Sequence, residues 1–148
     1  MVDEVLENLV SKQNGKYIDC TFGAGGHSLK ILKKLNQEGA LISIEKDKMA
    51  TLNLSSEFTD DKRFKLINDS FSNLNKLFKD GEIDGILIDL GISSTQLDDP
   101  ARGFSFQSNG PLDMRIDTSQ GQTAAEWINS ATKKDCLLYT SPSPRDVE

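Results

Sequence analysis

The sequence predicts an α/β fold with a parallel sheet, because strand-like and helix-like segments alternate along its first part. Four short apolar runs have the length of strands, at residues 17–21, 40–44, 64–68 and 85–90. Segments with apolar residues at helical spacing separate these runs. Such alternation implies right-handed βαβ crossovers and a parallel half-sheet that helices cover on both faces.

The helices of this pattern begin near the N-terminus. Residues 2–10 place apolar side chains at the spacing i, i+3, i+4, i+7 and i+8, and Asn14-Gly15 then ends the helix. Helical spacing recurs at residues 29–35, less regularly at residues 49–58, and again at residues 71–78. We expect the leucine and phenylalanine side chains of these segments to pack in the core.

The pattern changes after the fourth apolar run. Residues 91–111, which end in a stretch rich in Gly, Phe and Ser, predict a loop of a length that is usually functional or disordered. Thr123 and Glu126 then have the spacing of a capping box, which predicts a new helix from about Ala124.

Composition restricts the class of protein. The chain has 148 residues, of which 36% are hydrophobic and 27% charged, as in an ordinary soluble domain. The net charge of -6 argues against binding nucleic acid by bulk electrostatics. Cys20, Cys136 and His27 lack the spacing of a metal site, so we expect reduced thiols and no metal. No apolar run approaches membrane-spanning length, which predicts a cytoplasmic protein with no membrane partner.

A glycine-rich turn is the first candidate for a functional site. The pattern Gly23-x-Gly25-x-x-Ser28 follows the first strand and opens a helix, and Glu45 ends the second strand. Glycines let the backbone bend sharply and approach a ligand, while an acid at the end of the second strand can accept hydrogen bonds from ribose hydroxyls. The turn and the acid together predict a nucleotide-binding corner.

Two classes of nucleotide fit this corner. A dinucleotide would place its pyrophosphate at the N-terminus of the helix. S-adenosylmethionine has no phosphate and needs partners for its amino-acid end, for which Asp19, Gly25, Gly26 and His27 offer a carboxylate, backbone amides and an imidazole. The sequence favours the methyl donor and keeps a nicotinamide-dependent oxidoreductase as an alternative.

Two further residues follow later strands. Asp89 lies at the end of the fourth apolar run, where ligands of open α/β sheets bind, so we expect it to face cofactor and substrate. Phe71 follows the third run, and either flanks an adenine ring or packs in the core.

Four motifs carry a family resemblance: DCTFGAGGHS (residues 19–28), DGILIDLGISSTQLD (84–98), RGFSF (102–106) and GPLDMR (110–115). In this order they resemble the RsmH (MraW) family, and the resemblance runs from about residue 3 to about residue 135. It implies a Rossmann-like, S-adenosylmethionine-dependent methyltransferase fold. The implied substrate is the N4 amine of a cytosine in small-subunit (16S) ribosomal RNA, and that base is expected to be unpaired or extruded.

The resemblance also assigns roles to individual residues. From its position at the end of the fourth run, rather than from the resemblance, Asp89 is the expected catalytic residue. Asp89 or a nearby backbone carbonyl would accept a hydrogen of the cytosine amine. The family often has Asp where this chain has Glu45. The residues that the resemblance assigns to the cofactor are Gly25, Gly26, His27, Glu45, Phe71, Asp89 and Gln96.

The resemblance and the pattern together predict the organisation of the chain. Residues 1–112 are the expected cofactor-binding half-domain, and residues 113–136 the start of a helical insert that would make most RNA contacts. Residues 137–148 carry two prolines that break the helical pattern, and we interpret them as a non-native tail of a truncated reading frame. A non-catalytic cofactor-binding fragment is therefore a second alternative for the function.

Residues 102–115 allow two interpretations. They mix Arg102 and Arg115 with Phe104 and Phe106, a combination that suits stacking on RNA bases. A loop that folds back over the cofactor and is held by its own aromatic side chains is the other interpretation.

Overall fold

The structure is a computed structural model that describes residues 2–52 and 54–135. The chain divides into two compact units, of which the first ends at Ser93 and the second begins at Ser94. The tail predicted at residues 137–148 and the thiol of Cys136 lie outside the described residues. The domain boundary expected at residue 112 stays a prediction.

The first unit confirms the predicted α/β alternation. One predicted helix, at residues 49–58, is instead two short helices, because Ser55 between them is extended (φ -69°, ψ 159°) and starts a new helix. In chain order the elements are α1 (Val2–Leu9), β1 (Lys16–Asp19), α2 (Gly26–Lys34), β2 (Ala40–Glu45), α3 (Lys48–Thr51), α4 (Ser56–Thr59), β3 (Phe64–Asn68), a 3₁₀ turn (Phe71–Asn73), α5 (Leu74–Leu77) and β4 (Gly85–Leu87).

The strands form one four-stranded parallel sheet with the order β3-β2-β1-β4. The register pairs Ile18 of β1 with Ile42 of β2 on one side and with Ile86 of β4 on the other. Because all strands run in one direction, their carboxyl ends meet at a single edge of the sheet. This edge is where open α/β sheets bind their ligands.

Neighbouring residues of β1 point to opposite faces of the sheet and enter separate core clusters. Tyr17 packs with α1 and α2 on one face, and Ile18 packs with Ile44 on the other. All three side chains have no exposed surface. Phe22 and Phe58 add an edge-to-face aromatic pair with ring centroids 5.2 Å apart.

The fourth strand differs from the expectation in length and in burial. It ends at Leu87, because the next N–H to face β1, that of Asp89, bonds a side chain of the β1 turn instead of a strand carbonyl. Ile86 and Ile88 remain 48% and 47% exposed, so the prediction of a sheet covered on both faces is wrong at β4. Within residues 2–52 and 54–135, β4 pairs with β1 alone.

The second unit contains α6 (Ser94–Asp98), a 3₁₀ turn (Pro100–Arg102) and α7 (Ala124–Ser130). The predicted capping box is confirmed, since the Thr123 hydroxyl accepts the Glu126 N–H and the Glu126 carboxylate accepts the Thr123 N–H. The helix α6 lies inside the segment predicted as loop. No helix in the described part of the chain combines the length and apolar character needed to cross a membrane.

Candidate functional site

The glycine turn after β1 depends on backbone conformations that glycine adopts without strain. Gly23 and Gly25 have φ angles of 53° and 79°, in the left-handed region. A Cβ on Gly25 would lie 2.7 Å from a ring carbon of Phe58, whereas a Cβ on Gly26 would meet nothing within 4 Å. The backbone at Gly26 therefore borders open space, while Gly25 fixes the turn against the core.

The turn leads directly into α2. The N-cap of this helix is Gly25, so no N-cap side chain accepts a hydrogen bond from its first N–H groups. The start of a helix exposes N–H groups that favour carboxylates and other anions. The expectation that the glycine turn opens a helix is confirmed, since α2 begins at Gly26. The contact of Gly25, Gly26 and His27 with a cofactor stays a prediction.

Glu45 ties the end of β2 to the glycine turn. One carboxylate oxygen accepts the Gly23 N–H at 2.8 Å, and the other accepts the Asp47 N–H at 2.8 Å. The side chain is half-buried, and each oxygen has a second lone pair that can accept a further hydrogen. Glu45 can thus hold the turn in place and still receive the hydroxyls of a ribose.

Asp19 has a different role from the one expected. Its side chain has no exposed surface. One of its oxygens accepts the Ser28 hydroxyl at 2.6 Å, and the other accepts the Thr21 N–H at 3.1 Å. The carboxylate is therefore used inside the protein to brace the turn, and the expectation that it faces a ligand is wrong.

Asp89 and His27 come together at the carboxyl end of β4. The nearest ring nitrogen of His27 lies 3.7 Å from a carboxylate oxygen of Asp89. The Asp89 side chain is 64% exposed and the His27 side chain 25% exposed. The pair is accessible to a ligand, although Asp89 is sixty-two positions from His27 in the chain.

The end of β3 contributes to the same edge of the sheet. Phe71 is 40% exposed, which argues against the interpretation that it packs in the core. Asp69 was not predicted as a site residue. Its N–H donates to the Glu45 carbonyl at 3.1 Å, and the hydrogen bond from Asn73 holds the pKa of its carboxyl below the usual range. A polar residue directly after an apolar, strand-length run was the signal that could have identified it.

Four of the predicted site residues, together with the catalytic candidate, belong to one edge of the first unit: Gly25, Gly26, His27, Glu45 and Asp89. Phe71 follows β3 at that edge. Gln96 is on α6 in the second unit, where its side chain is buried. In the described ranges, 2–52 and 54–135, no three side chains of His, Cys, Asp or Glu form a group that could hold a metal.

The cationic loop of the second unit is held together by its own contacts. Arg115 forms a two-pronged pair with Asp113, at 2.9 and 2.7 Å, which lowers the pKa of that carboxyl to about 2. Arg102 donates to the Ile116 carbonyl at 2.9 Å. Phe104 is buried and Phe106 is fully exposed. These contacts favour a loop organised from within, and they leave Phe106 as its accessible aromatic side chain.

The thiol of Cys20 is buried and is not a candidate nucleophile. Cys20 is a free, buried cysteine, and burial together with the nearby Asp19 charge raises the pKa of its thiol to about 11. A thiol with so high a pKa is protonated at neutral pH and is therefore a poor nucleophile.

Comparison with known proteins gives the following matches. The model of the MraW methylase family matches residues 1–139. The chain is 50% identical over 139 residues to "Ribosomal RNA small subunit methyltransferase H" of Alteromonas mediterranea, and 47% identical to the protein of the same name from Shewanella oneidensis. Each alignment covers 91% of this chain and 44% of the relative, so the chain spans less than half the length of these relatives.

A solved structure from Clostridium thermocellum, described as an rRNA-methylase, superposes with a TM-score of 0.54. The superposition covers 64% of this chain and 50% of that chain at 22% sequence identity. At this identity the likeness concerns the fold alone, and it confirms the predicted Rossmann-like methyltransferase fold.

Proposed function

Since the chain belongs to the MraW methylase family, we propose that it forms the cofactor-binding half of an S-adenosylmethionine-dependent ribosomal RNA methyltransferase. The names of its relatives support a small-subunit rRNA substrate. The finer assignment, to the N4 amine of a cytosine, rests on the motif resemblance. The observation that carries the proposal is the edge at which the glycine turn, Glu45 and Asp89 meet.

The residues of this edge suit S-adenosylmethionine in shape and in donor set. Open space beside Gly26 admits a ligand against the backbone, and the first N–H groups of α2 suit the carboxylate of its amino-acid end. Glu45 would accept the ribose hydroxyls, and the exposed ring of Phe71 would lie against the adenine. Gln96 stays a prediction from the resemblance.

The carboxylate of Asp69 is a further candidate for the adenine. A carboxylate accepts hydrogens, and the exocyclic amine of adenine donates them. The hydrogen bonds from Asn73 and Ser70 favour the charged, accepting form of Asp69. Asp69 and Glu45 would then receive the base and the ribose of one nucleoside from neighbouring strands.

Asp89 is the proposed acceptor at the reacting end. S-adenosylmethionine supplies an electrophilic methyl group on its sulfonium. An exocyclic cytosine amine is a weak nucleophile because its lone pair is delocalised into the ring, so it must be oriented and one of its hydrogens held. The exposed carboxylate of Asp89 can accept that hydrogen, and His27 beside it can hold the carboxylate in place.

The nicotinamide-dependent alternative is not supported by the family or by the relatives. Calorimetric titration of the chain with S-adenosylmethionine and with NAD separates the two cofactors. We expect heat of binding with S-adenosylmethionine alone. Glu45→Ala should weaken that binding by about tenfold, the equivalent of one hydrogen-bonded contact. Glu38→Ala changes an exposed residue just before β2, at the opposite end of the strand, and should have no effect. Binding of NAD in place of S-adenosylmethionine would overturn the proposal.

The substrate is tested in a chimera in which the remainder of the Alteromonas mediterranea relative follows the matched segment. With radiolabelled S-adenosylmethionine we expect methyl transfer to small ribosomal subunits, and N4-methylcytosine in the digested RNA. Transfer to another nucleoside would contradict the cytosine assignment. Cofactor binding without any transfer would favour the non-catalytic alternative.

A further inference from the structure

A buried hydrogen-bond chain lies beneath the glycine turn. The hydroxyls of Ser43 and Ser28 are 2.7 Å apart, and the Ser28 hydroxyl donates to Asp19 at 2.6 Å. None of these three side chains has exposed surface. Because Ser28 gives its one hydrogen to Asp19, Ser43 must donate to Ser28. The chain therefore has a defined direction, from β2 through α2 to the end of β1.

Asp19 connects the buried chain to Thr21 by a hydrogen bond. Its second carboxylate oxygen accepts the backbone N–H of Thr21 at 3.1 Å, which fixes the residue that starts the turn. The hydroxyl oxygen of Thr21 in turn accepts the backbone N–H of Asp89, just beyond β4, at 2.9 Å.

The hydrogen bond that Thr21 accepts stands where a further main-chain bond between β1 and β4 would be expected. The preceding contact between the strands is a main-chain bond, from the Cys20 N–H to the Leu87 carbonyl at 2.9 Å. Beyond it, the chain leaves β1 for the glycine turn, and the Asp89 N–H donates to a side chain of that turn. The threonine hydroxyl takes over as acceptor, so the backbone of Asp89 is set by a side chain of the turn.

We propose that Thr21 is a positioning residue for Asp89, and that the buried chain from Ser43 to Asp19 holds Thr21 in place for this purpose. The inference rests on the proposed function, in which Asp89 accepts the amine hydrogen. Asp89 has an exposed side chain and lies just beyond the end of β4, a strand that pairs with β1 alone among the described residues, so its backbone needs a fixed anchor. A shift of an acceptor by about 1 Å costs on the order of 10²-fold in rate.

The kinetic test uses substitutions that separate the hydroxyl from the shape of the side chain. In the chimera, Thr21→Val should lower kcat by about tenfold or more, while the Kd for S-adenosylmethionine stays within about threefold. Thr21→Ser keeps an acceptor and should restore kcat. The matched control is Thr59→Val, at an exposed residue of α4 whose hydroxyl donates to the adjacent Asp60 at 3.2 Å.

An equal loss of kcat and of cofactor affinity in Thr21→Val would overturn the proposal, since it would mean that Thr21 builds the cofactor site. An unchanged kcat would overturn it as well. If Thr21→Val does not fold, Thr21→Ala removes the same acceptor without adding a methyl group, and the same comparison with Thr21→Ser applies.

A second measurement does not depend on catalysis. Hydrogen exchange of the Asp89 amide in the 148-residue chain reports the bond directly. We expect faster exchange in Thr21→Val and Thr21→Ala, and wild-type exchange in Thr21→Ser and Thr59→Val. Unchanged exchange of the Asp89 amide in both Thr21→Val and Thr21→Ala would refute the inference. A wild-type chimera without methyl transfer would instead refute the proposed function, so the two failures are distinguishable.

Discussion

The centre and the edge of the sheet carry the same apolar residue types with opposite outcomes. Ile44 in β2 has no exposed surface, whereas Ile86 in β4 is 48% exposed. Both lie on parallel strands of one sheet. The difference is that β2 pairs on both sides, with β1 and β3, while β4 pairs with β1 alone among the residues described. An apolar run thus specifies a strand, but its neighbours decide how far it is buried.

The same contrast separates the two ends of the candidate site. At the centre, Asp19 and Ser43 are buried and hydrogen-bonded, so they fix the glycine turn. Beside the outer strand β4, Asp89 is accessible, and its backbone N–H is bonded to the Thr21 hydroxyl. The proposed cofactor side of the site is braced by buried residues, whereas the proposed reacting group is an exposed side chain just beyond β4.

The largest expected difference between centre and edge is in core packing. Ile44→Ala should lower the free energy of unfolding by about 2–5 kcal/mol, because it leaves a cavity at a position with no exposed surface. Ile86→Ala removes the same atoms from a half-exposed position and should cost about 1 kcal/mol or less. Urea unfolding followed by circular dichroism measures both. Equal losses would mean that β4 is covered in solution.

The glycine turn should show the next largest effect. Gly25→Ala imposes a side chain on a left-handed backbone and against the Phe58 ring, so we expect a loss of about 1–3 kcal/mol in the free energy of unfolding. Gly26→Ala has room for its Cβ inside α2 and should leave stability unchanged or raise it by up to about 1 kcal/mol. Thermal unfolding of the two variants checks this. Equal destabilisation would contradict the structure of the turn.

Removal of a buried hydroxyl should have a smaller effect. Ser43→Ala takes away the donor to Ser28 and should cost about 1–2 kcal/mol in the free energy of unfolding. Ser72→Ala removes an exposed hydroxyl, bonded to Ser70 at 2.9 Å, and should cost about 0.5 kcal/mol or less. Urea unfolding of both variants gives the comparison. If Ser43→Ala were neutral, the buried chain would add nothing to stability.

Local pattern was enough to predict most of the first unit. The run at residues 64–68 coincides with β3, and the spacing of Thr123 and Glu126 predicted the start of α7. The run at residues 85–90 was predicted too long, because the end of β4 depends on a contact between Thr21 and Asp89 that lie far apart in sequence. Composition and spacing do not contain that contact.

The site was predictable to a similar depth. Residues at the carboxyl ends of parallel strands share one edge of the sheet, which is why the pattern placed Glu45 and Asp89 at one edge. Burial does not follow from strand direction. Asp19 was predicted to bind the cofactor because a carboxylate beside a glycine turn suits an amine. Its oxygens instead accept hydrogen bonds from Ser28 and Thr21. Asp69 was not predicted because the hydrogen bond from Asn73, which lowers the pKa of its carboxyl, cannot be inferred from the sequence pattern.

The smallest expected effect concerns the ion pair beside the edge strand. Lys12 donates to Asp84 at 2.6 Å, and this hydrogen bond, followed by that from the Lys16 N–H, lowers the pKa of the Asp84 carboxyl. A lowered pKa in the folded state means that the pair stabilises the fold above the ordinary pKa of Asp. This stabilisation is lost as the pH falls through the lowered value.

Lys12→Met should therefore raise the pKa of Asp84 toward its usual range, with the Lys16 N–H still bound. Carbon-13 NMR titration of the Asp84 carboxyl measures the change. The loss of stability should be seen at neutral pH and fade in acid, and it should be the smallest of these effects because Lys12 is 64% exposed and screened by solvent. Lys33→Met, at an exposed residue of α2, should leave the titration of Asp84 unchanged. An unchanged pKa in Lys12→Met would mean that the hydrogen bond from the Lys16 N–H alone accounts for the lowered pKa of Asp84, and that the ion pair adds nothing to it.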